Sequence, residues 1–225
     1  MNGHTFYYYV FSFLFFFLLL WISKQKKGLR LFDEKGFAAN MPMLIGLHIA
    51  GIFLFGILPF LFAHPGSFVF FKMNSAGNSS AMIVALLAFM SLMITPRILE
   101  KKFGKSQSFV SETSLGTAFL LAYFPIRIVF IVVYECWFRG FLLTDSIISF
   151  GIIWAILINI CLHALLHVVN GKDEVIGCFP YGLLLCLLCI WQGAVWPAFV
   201  LHLALTLPYE LGYIRKMKFK IALQV

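Results

Sequence analysis

Tyr134 to Leu143 reads YECWFRGFLL and sets a glutamate and an arginine four residues apart inside an otherwise apolar run. One helical turn separates Glu135 from Arg139, so the two share a face and can pair. A carboxylate or a guanidinium turned toward lipid tails would cost several kcal/mol, so this face has to look into the protein or into a wet cavity. The rest of the chain is read outward from that requirement.

Of the 225 residues, 62% are hydrophobic, 18% aromatic and 12% charged, and the mean hydropathy is +0.95. Those values lie well outside the range of soluble globular domains and predict an integral membrane protein. The net charge of +8 does not point to nucleic acid. Its basic residues fall in short clusters between apolar runs, where they act as topology signals. Four of the cysteines, Cys136, Cys161, Cys186 and Cys189, lie in apolar runs, and with Cys178 they show no paired ligand spacing. The CxxC made by Cys186 and Cys189 has no second pair and reads as packing.

Residues 5 to 22 are long enough to cross a bilayer and lack the basic start and cleavage site of a signal peptide, which predicts a retained first span. Hydrophilic residues 24 to 36 follow. A second span is expected at about Met41 to Phe62 and, after a loop rich in Gly, Ser and Asn, a third at about Ala81 to Ile94, ended by Thr95 and Pro96. A basic loop from 97 to 112 leads to span four, from about Thr113 through the Glu135–Arg139 turn, with a kink at Pro125. Span five is expected at about Ile147 to Val169, then NGKDEVIG as a loop. Spans six (about Phe179 to Ile190) and seven (about Ala194 to Leu207) form a tight hairpin over WQG. The predicted fold is an all-α polytopic transmembrane bundle of about seven spans, with six to eight as the range, in a single domain over 1–225.

Lysine and arginine sort across these loops. One side collects Lys24, Lys26, Lys27, Arg30, Lys35, Arg97, Lys101, Lys102, Lys105, Lys172, Arg215, Lys216, Lys218 and Lys220, and the other has only Lys72. The positive-inside rule then predicts an N-terminus outside and a cytoplasmic C-terminus. Short loops without added domains fit a bacterial plasma membrane.

Polar side chains recur in the later spans at helical spacing. Glu135 and Arg139 lie in span four, Asn159, His163 and His167 in span five, and His202 and Thr206 in span seven, with Glu210 one turn on. Each stripe must be buried, and the simplest arrangement turns all three toward one hydrated cavity. A glutamate there can take a proton from water, while histidines hold that water or bind a metal that does so. Asn159 and Thr206 could donate hydrogen bonds to a developing oxyanion. Arg127 reads as a snorkelling or packing charge, and His48 and His64 have no evident partners.

YECWFRGFLL, HALLHVVNG and FPYGLLLCLLCIWQGAVWPAFVLHLALT, in that order, resemble the CAAX protease and bacteriocin-processing membrane family, which includes the type II CAAX prenyl proteases. Its pattern is EExxxR, FxxxH and HxxxN or HxxxD on successive spans. The resemblance covers about 115–207 and lays Glu135 on the second glutamate, Arg139 on the arginine, and His167 and His202 on the two histidines. Tyr134 stands where the family has its first, water-activating glutamate, His163 replaces the phenylalanine, and Thr206 replaces the Asn or Asp.

The resemblance implies an intramembrane endopeptidase acting on a membrane-tethered or lipid-modified peptide. Its catalytic set would be Glu135, Arg139, His167, His202 and Thr206, with His163 and Asn159 as additions. No cofactor is needed if a glutamate activates the water; a divalent metal such as zinc, held by His167 and His202, is the alternative. The expected partners are the bilayer and the tethered substrate, with no nucleic acid. A catalytically inactive, immunity-like relative is the rival reading; a small transporter is disfavoured by the lack of an inverted repeat.

One difficulty is geometric. A hairpin turning near Ser146 would leave Glu135 roughly 17 Å and His167 roughly 31 Å from the turn at 1.5 Å per residue. They meet only if residues 141–150 add a half-helix, or if His163 is the true partner.

Overall fold

The computed structural model of the chain describes residues 3–33, 36–37, 40–62, 77–103 and 116–222. The first apolar run forms α1 (Gly3–Gln25), followed by a left-handed turn at Lys27 with φ 54°. A small antiparallel ribbon, β1 (Phe32–Asp33) with β2 (Gly36–Phe37), lies in the stretch expected to be loop. Next comes α2 (Met41–Ile52), whose first turn is capped by Asn40 accepting from the Met43 N–H at 3.0 Å. The same rod continues through a π-helical turn, Phe53–Ile57, into α3 (Pro59–Phe62). Then follow α4 (Gly77–Phe103), α5 (Thr117–Glu135), a second π-helical segment Cys136–Leu142, and α6 (Leu143–Phe150). The chain ends in α7 (Ile152–Leu166), a 3-10 turn Val168–Asn170, α8 (Lys172–Gln192) and α9 (Trp196–Ala222).

Apart from the ribbon this is the all-α bundle the sequence predicts. With α2–α3 and α5–α6 each taken as one interrupted rod, seven rods are described. Five stretches are long and apolar enough to span a bilayer: Gly3–Gln25, Ala81–Ile98, Thr117–Phe150, Ile152–Asn170 and Lys172–Gln192. Met41–Ile57 is a shorter apolar helix. Large apolar side chains such as Phe11, Leu14, Leu86, Phe89, Leu121 and Ile153 point outward, as they do against acyl tails. The chain is an integral, multi-pass membrane protein.

Several boundaries differ from expectation for local reasons. Pro96 does not end its helix; Thr95 beside it donates back to the Ser91 carbonyl at 2.7 Å, and α4 runs on to Phe103. α8 starts at Lys172, not near Phe179, because Asp173 and Glu174 sit in its first turn, where acids favour the positive helix end. Similarly α9 carries Pro208 inside it and extends past Leu207. The turn before α7 is at Gly151 (φ 80°), five residues beyond Ser146. His64, Lys72, Lys105 and the start proposed at Thr113 lie outside the described residues.

Each π-helical segment displaces backbone groups that lipid cannot satisfy. The Leu54 carbonyl accepts from the Tyr8 hydroxyl at 2.8 Å, and the Phe138 carbonyl accepts from Asn159 Nδ2 at 2.5 Å. Helix α1 is further tied to α6 by the Tyr9 hydroxyl, which donates to Asp145 Oδ2 at 2.7 Å. Between these ties lies an aromatic core: Phe16 against Phe55 at 4.7 Å, Phe55 against Trp137 at 4.9 Å and Tyr9 against Trp137 at 5.6 Å. It fixes α2 and α5 around the site.

Close approach of those two helices requires Gly51, where a Cβ would lie 2.3 Å from the Phe130 ring. Gly51→Val is therefore expected to cost about 1–3 kcal/mol through overpacking. Gly46→Ala in the same helix, where nothing lies within 4 Å of an added Cβ, is the control and should leave the thermal unfolding midpoint equal or slightly raised.

Candidate active site

Every residue from Tyr134 to Leu143 is buried. Glu135 is 0% and Arg139 2% exposed, and they pair as the spacing predicts, with Arg139 Nη1 3.1 Å from Glu135 Oε2. The other carboxylate oxygen, Oε1, accepts from His202 Nδ1 at 2.5 Å, so α9 closes directly onto α5. The same guanidinium nitrogen, Arg139 Nη1, is 3.4 Å from His163 Nδ1, and the Tyr134 hydroxyl meets that ring nitrogen at 2.9 Å. The His163 and His167 rings are 5.0 Å apart. A continuous polar chain thus runs from His202 through Glu135, Arg139 and His163 to His167.

The turn at Gly151 removes the difficulty over heights. Glu135 lies sixteen residues before it and His167 sixteen after, while Arg139 and His163 are each twelve away. Equal lengths of antiparallel helix bring these pairs level. The half-helix expected at 141–150 is present as α6.

These groups face a cavity of about 880 Å³. Tyr134, His163, His167, His202 and Thr206 form part of its wall. Glu135 and Arg139 sit behind that wall, with Glu135 reaching the cavity through His202. Tyr181, on α8, also lines the cavity, and its buried hydroxyl makes no hydrogen bond among the described residues.

Asn159 stands apart. It is 0% exposed, donates to the Phe138 carbonyl and accepts from Cys186 Sγ at 3.3 Å. It braces the π-helical segment and is not turned to the cavity, so the oxyanion role expected of it does not fit.

Two features escaped the sequence. Arg127 is no snorkelling charge: its Nε lies 3.1 Å from Glu210 Oε1 and its Nη1 3.0 Å from His48 Nε2, while the Tyr123 hydroxyl donates to Glu210 at 3.3 Å. This second polar network lines the same cavity. Eight residues separate Arg127 from Glu135, a spacing that puts both on one helix face and could have flagged it. The other is Cys178, which shows no ligand spacing in the sequence and whose thiol shares the cavity wall with His163 and His167. No spacing rule connects a cysteine on α8 with histidines on α7.

A family model described as type II CAAX prenyl endopeptidase Rce1-like matches residues 116–207. Over that span, somewhat under half of the chain, it is similar to the type II CAAX prenyl endopeptidases. Neither curated proteins nor solved structures gave a match. The family is one of intramembrane proteases, and the matched span carries all of the polar chain from Tyr134 to His202.

A buried ion pair broken on one side leaves an uncompensated charge, whereas apolar replacement of both partners does not. Arg139→Met alone should lower unfolding stability by about 3–5 kcal/mol. Adding Glu135→Leu to it should recover most of that loss, measured by denaturation in mild detergent.

Proposed function

We propose that the protein is an intramembrane endopeptidase that hydrolyses a peptide bond in a membrane-tethered or lipid-modified substrate. The observation that carries this is the 2.5 Å contact between Glu135 and His202, with the His202 ring in the wall of the cavity. Arg139 keeps Glu135 ionised and oriented. Glu135 accepts the Nδ1–H of His202, which leaves Nε2 as the basic nitrogen available to the cavity. Nε2 takes a proton from water as the water oxygen attacks the scissile carbonyl carbon, and later returns it to the departing amine nitrogen. The imidazolium formed in between lies against a carboxylate, the arrangement that stabilises it in hydrolytic triads.

Glu135 thus works through His202 and does not meet the water itself. The hydroxyls of Tyr134, Tyr181 and Thr206, all in the cavity wall, supply candidate donors for the oxyanion. His167 would position the substrate carbonyl or the water. The substrate enters from the bilayer or the cytoplasmic face, and the lysine and arginine count puts the N-terminus outside and the C-terminus in the cytoplasm of a bacterial plasma membrane. The whole chain, 1–225, acts as one membrane domain.

The rival reading is a non-catalytic relative that binds a membrane partner, and what favours it is Tyr134 in place of the family's first glutamate. Cleavage of a bilayer-tethered model peptide by the purified protein in nanodiscs separates the two. Glu135→Gln and His202→Gln should each lower kcat by at least about 100-fold, the loss expected when a positioned acid–base group is removed. His202→Gln leaves the Glu135–Arg139 pair in place and so tests the chemistry should Glu135→Gln fail to fold. A folded protein that cleaves no tethered peptide, or a folded His202→Gln variant at the wild-type rate, would sink the hydrolase reading.

A further inference from the structure

One cluster in the cavity wall takes no part in the proton transfers just described, although His167 within it also faces the substrate. His163 and His167 stand one helical turn apart at the end of α7, and Cys178 faces them from the second turn of α8. One donor atom from each of the three lies within 4.8 Å of the other two. Ligands of a single tetrahedral zinc ion are roughly 3.3–3.6 Å apart, given Zn–N and Zn–S bonds of about 2.0 and 2.3 Å, so side-chain rotation closes the gap. Gly171, with φ 114°, makes the tight reversal that returns the chain from α7 to α8 and sets this geometry.

The surroundings fit ligation. His163 Nδ1 meets the Tyr134 hydroxyl at 2.9 Å, and a hydroxyl accepts as readily as it donates. His167 Nδ1 lies 3.2 Å from Asn170 Nδ2 and 3.5 Å from Glu174 Oε2. A hydroxyl or carboxylate at one ring nitrogen is what orients an imidazole whose other nitrogen binds a metal. Ligation through Nε2 puts the proton on Nδ1 in both rings. That turns His163 Nδ1 to the Tyr134 hydroxyl and away from Arg139 Nη1 at 3.4 Å, and His167 Nδ1 to Glu174 and away from the Asn170 amide nitrogen. The nearest fixed positive charge, Arg139, is met by Glu135 at 3.1 Å.

We propose that His163, His167 and Cys178 form a three-ligand site for a thiophilic divalent transition ion, with zinc the best match to two imidazoles and a thiolate. None of this ligand set depends on the Glu135–His202 pair. The fourth coordination position is open to the cavity, where a bound ion would polarise a carbonyl oxygen or a water. Only that last use rests on the hydrolase reading.

The test uses full-length protein without a polyhistidine tag, in nanodiscs, equilibrated with Zn²⁺ for elemental analysis and titrated with Co²⁺ for the thiolate-to-cobalt charge-transfer band. About one ion per chain is expected, with the band present. Cys178→Ser should abolish the band, and Cys178→Ser and His163→Ala should each weaken binding by more than about 100-fold, beyond the range caused by outer-sphere changes. Cys186→Ser and Cys189→Ser should keep both signals. Unfolding midpoints taken without metal separate lost ligation from lost folding, and His167→Gln serves as the second ligand variant. Wild-type protein that retains no ion, or a band that survives Cys178→Ser, overturns the site. Glu135→Gln should bind the ion as the wild type does, and wild-type protein that binds the ion but cleaves no tethered peptide counts against the hydrolase reading alone.

Discussion

The structure depends on enclosing one ion pair. Glu135 and Arg139 are cut off from both water and lipid, and neither could stay ionised there without the other. Enclosure takes helices on every side: α9 delivers His202 to the carboxylate, α7 delivers His163 toward the guanidinium, and α8 passes so close that Gly182 lies 3.6 Å, at an added Cβ, from Arg139 Nη2. An added Cβ at 182 would make ordinary van der Waals contact with that guanidinium and the His163 ring, and atoms beyond it would press on them.

Placing charges there has a backbone cost that the neighbouring helices meet. Arg139 lies in the π-helical segment, where the regular ladder is broken, and Asn159 adds a second hydrogen bond to the Phe138 carbonyl, which also accepts from the Leu143 N–H. The same device recurs at Phe53–Ile57, where Tyr8 takes the Leu54 carbonyl. Both breaks pack onto the aromatic core shared by α1, α2 and α5. The N-terminal helices, which the sequence reads as generic spans, thus hold the interrupted backbone of the site in shape.

Much of this was legible because lipid makes the sequence explicit. An intramembrane Glu–Arg turn and histidine stripes at helical spacing have few bland explanations, and Glu135, Arg139, His163, His167 and His202 do come together. What was not legible has local causes. The break at Gly151 needs a positive φ that hydropathy does not record, and misplacing it at Ser146 made Glu135 and His167 seem out of reach. Acids in the first turn of α8 look like loop until the helix end that favours them is known. Asn159 belongs to a polar stripe by spacing, yet its side chain serves the backbone, because a π-helical break cannot be read from composition. Cys178 and Arg127 acquire meaning only from residues on other helices.

The two sharpest departures from the family pattern are one change in space. Tyr134 and His163 replace a glutamate and a phenylalanine on different helices, and here they hydrogen-bond at 2.9 Å. A carboxylate at 134 would sit beside Glu135 and need its own cation, whereas a phenol there needs only one partner, which His163 supplies. A site that had simply lost its chemistry would be free to fill with apolar side chains, which bury at no desolvation cost. This cavity instead keeps four histidines, a thiol and four tyrosines in its wall, each at the expense of the apolar packing that lipid would otherwise favour. Retaining that polar set, and coupling the two replaced positions to each other, keeps the cavity polar where lipid packing alone would close it.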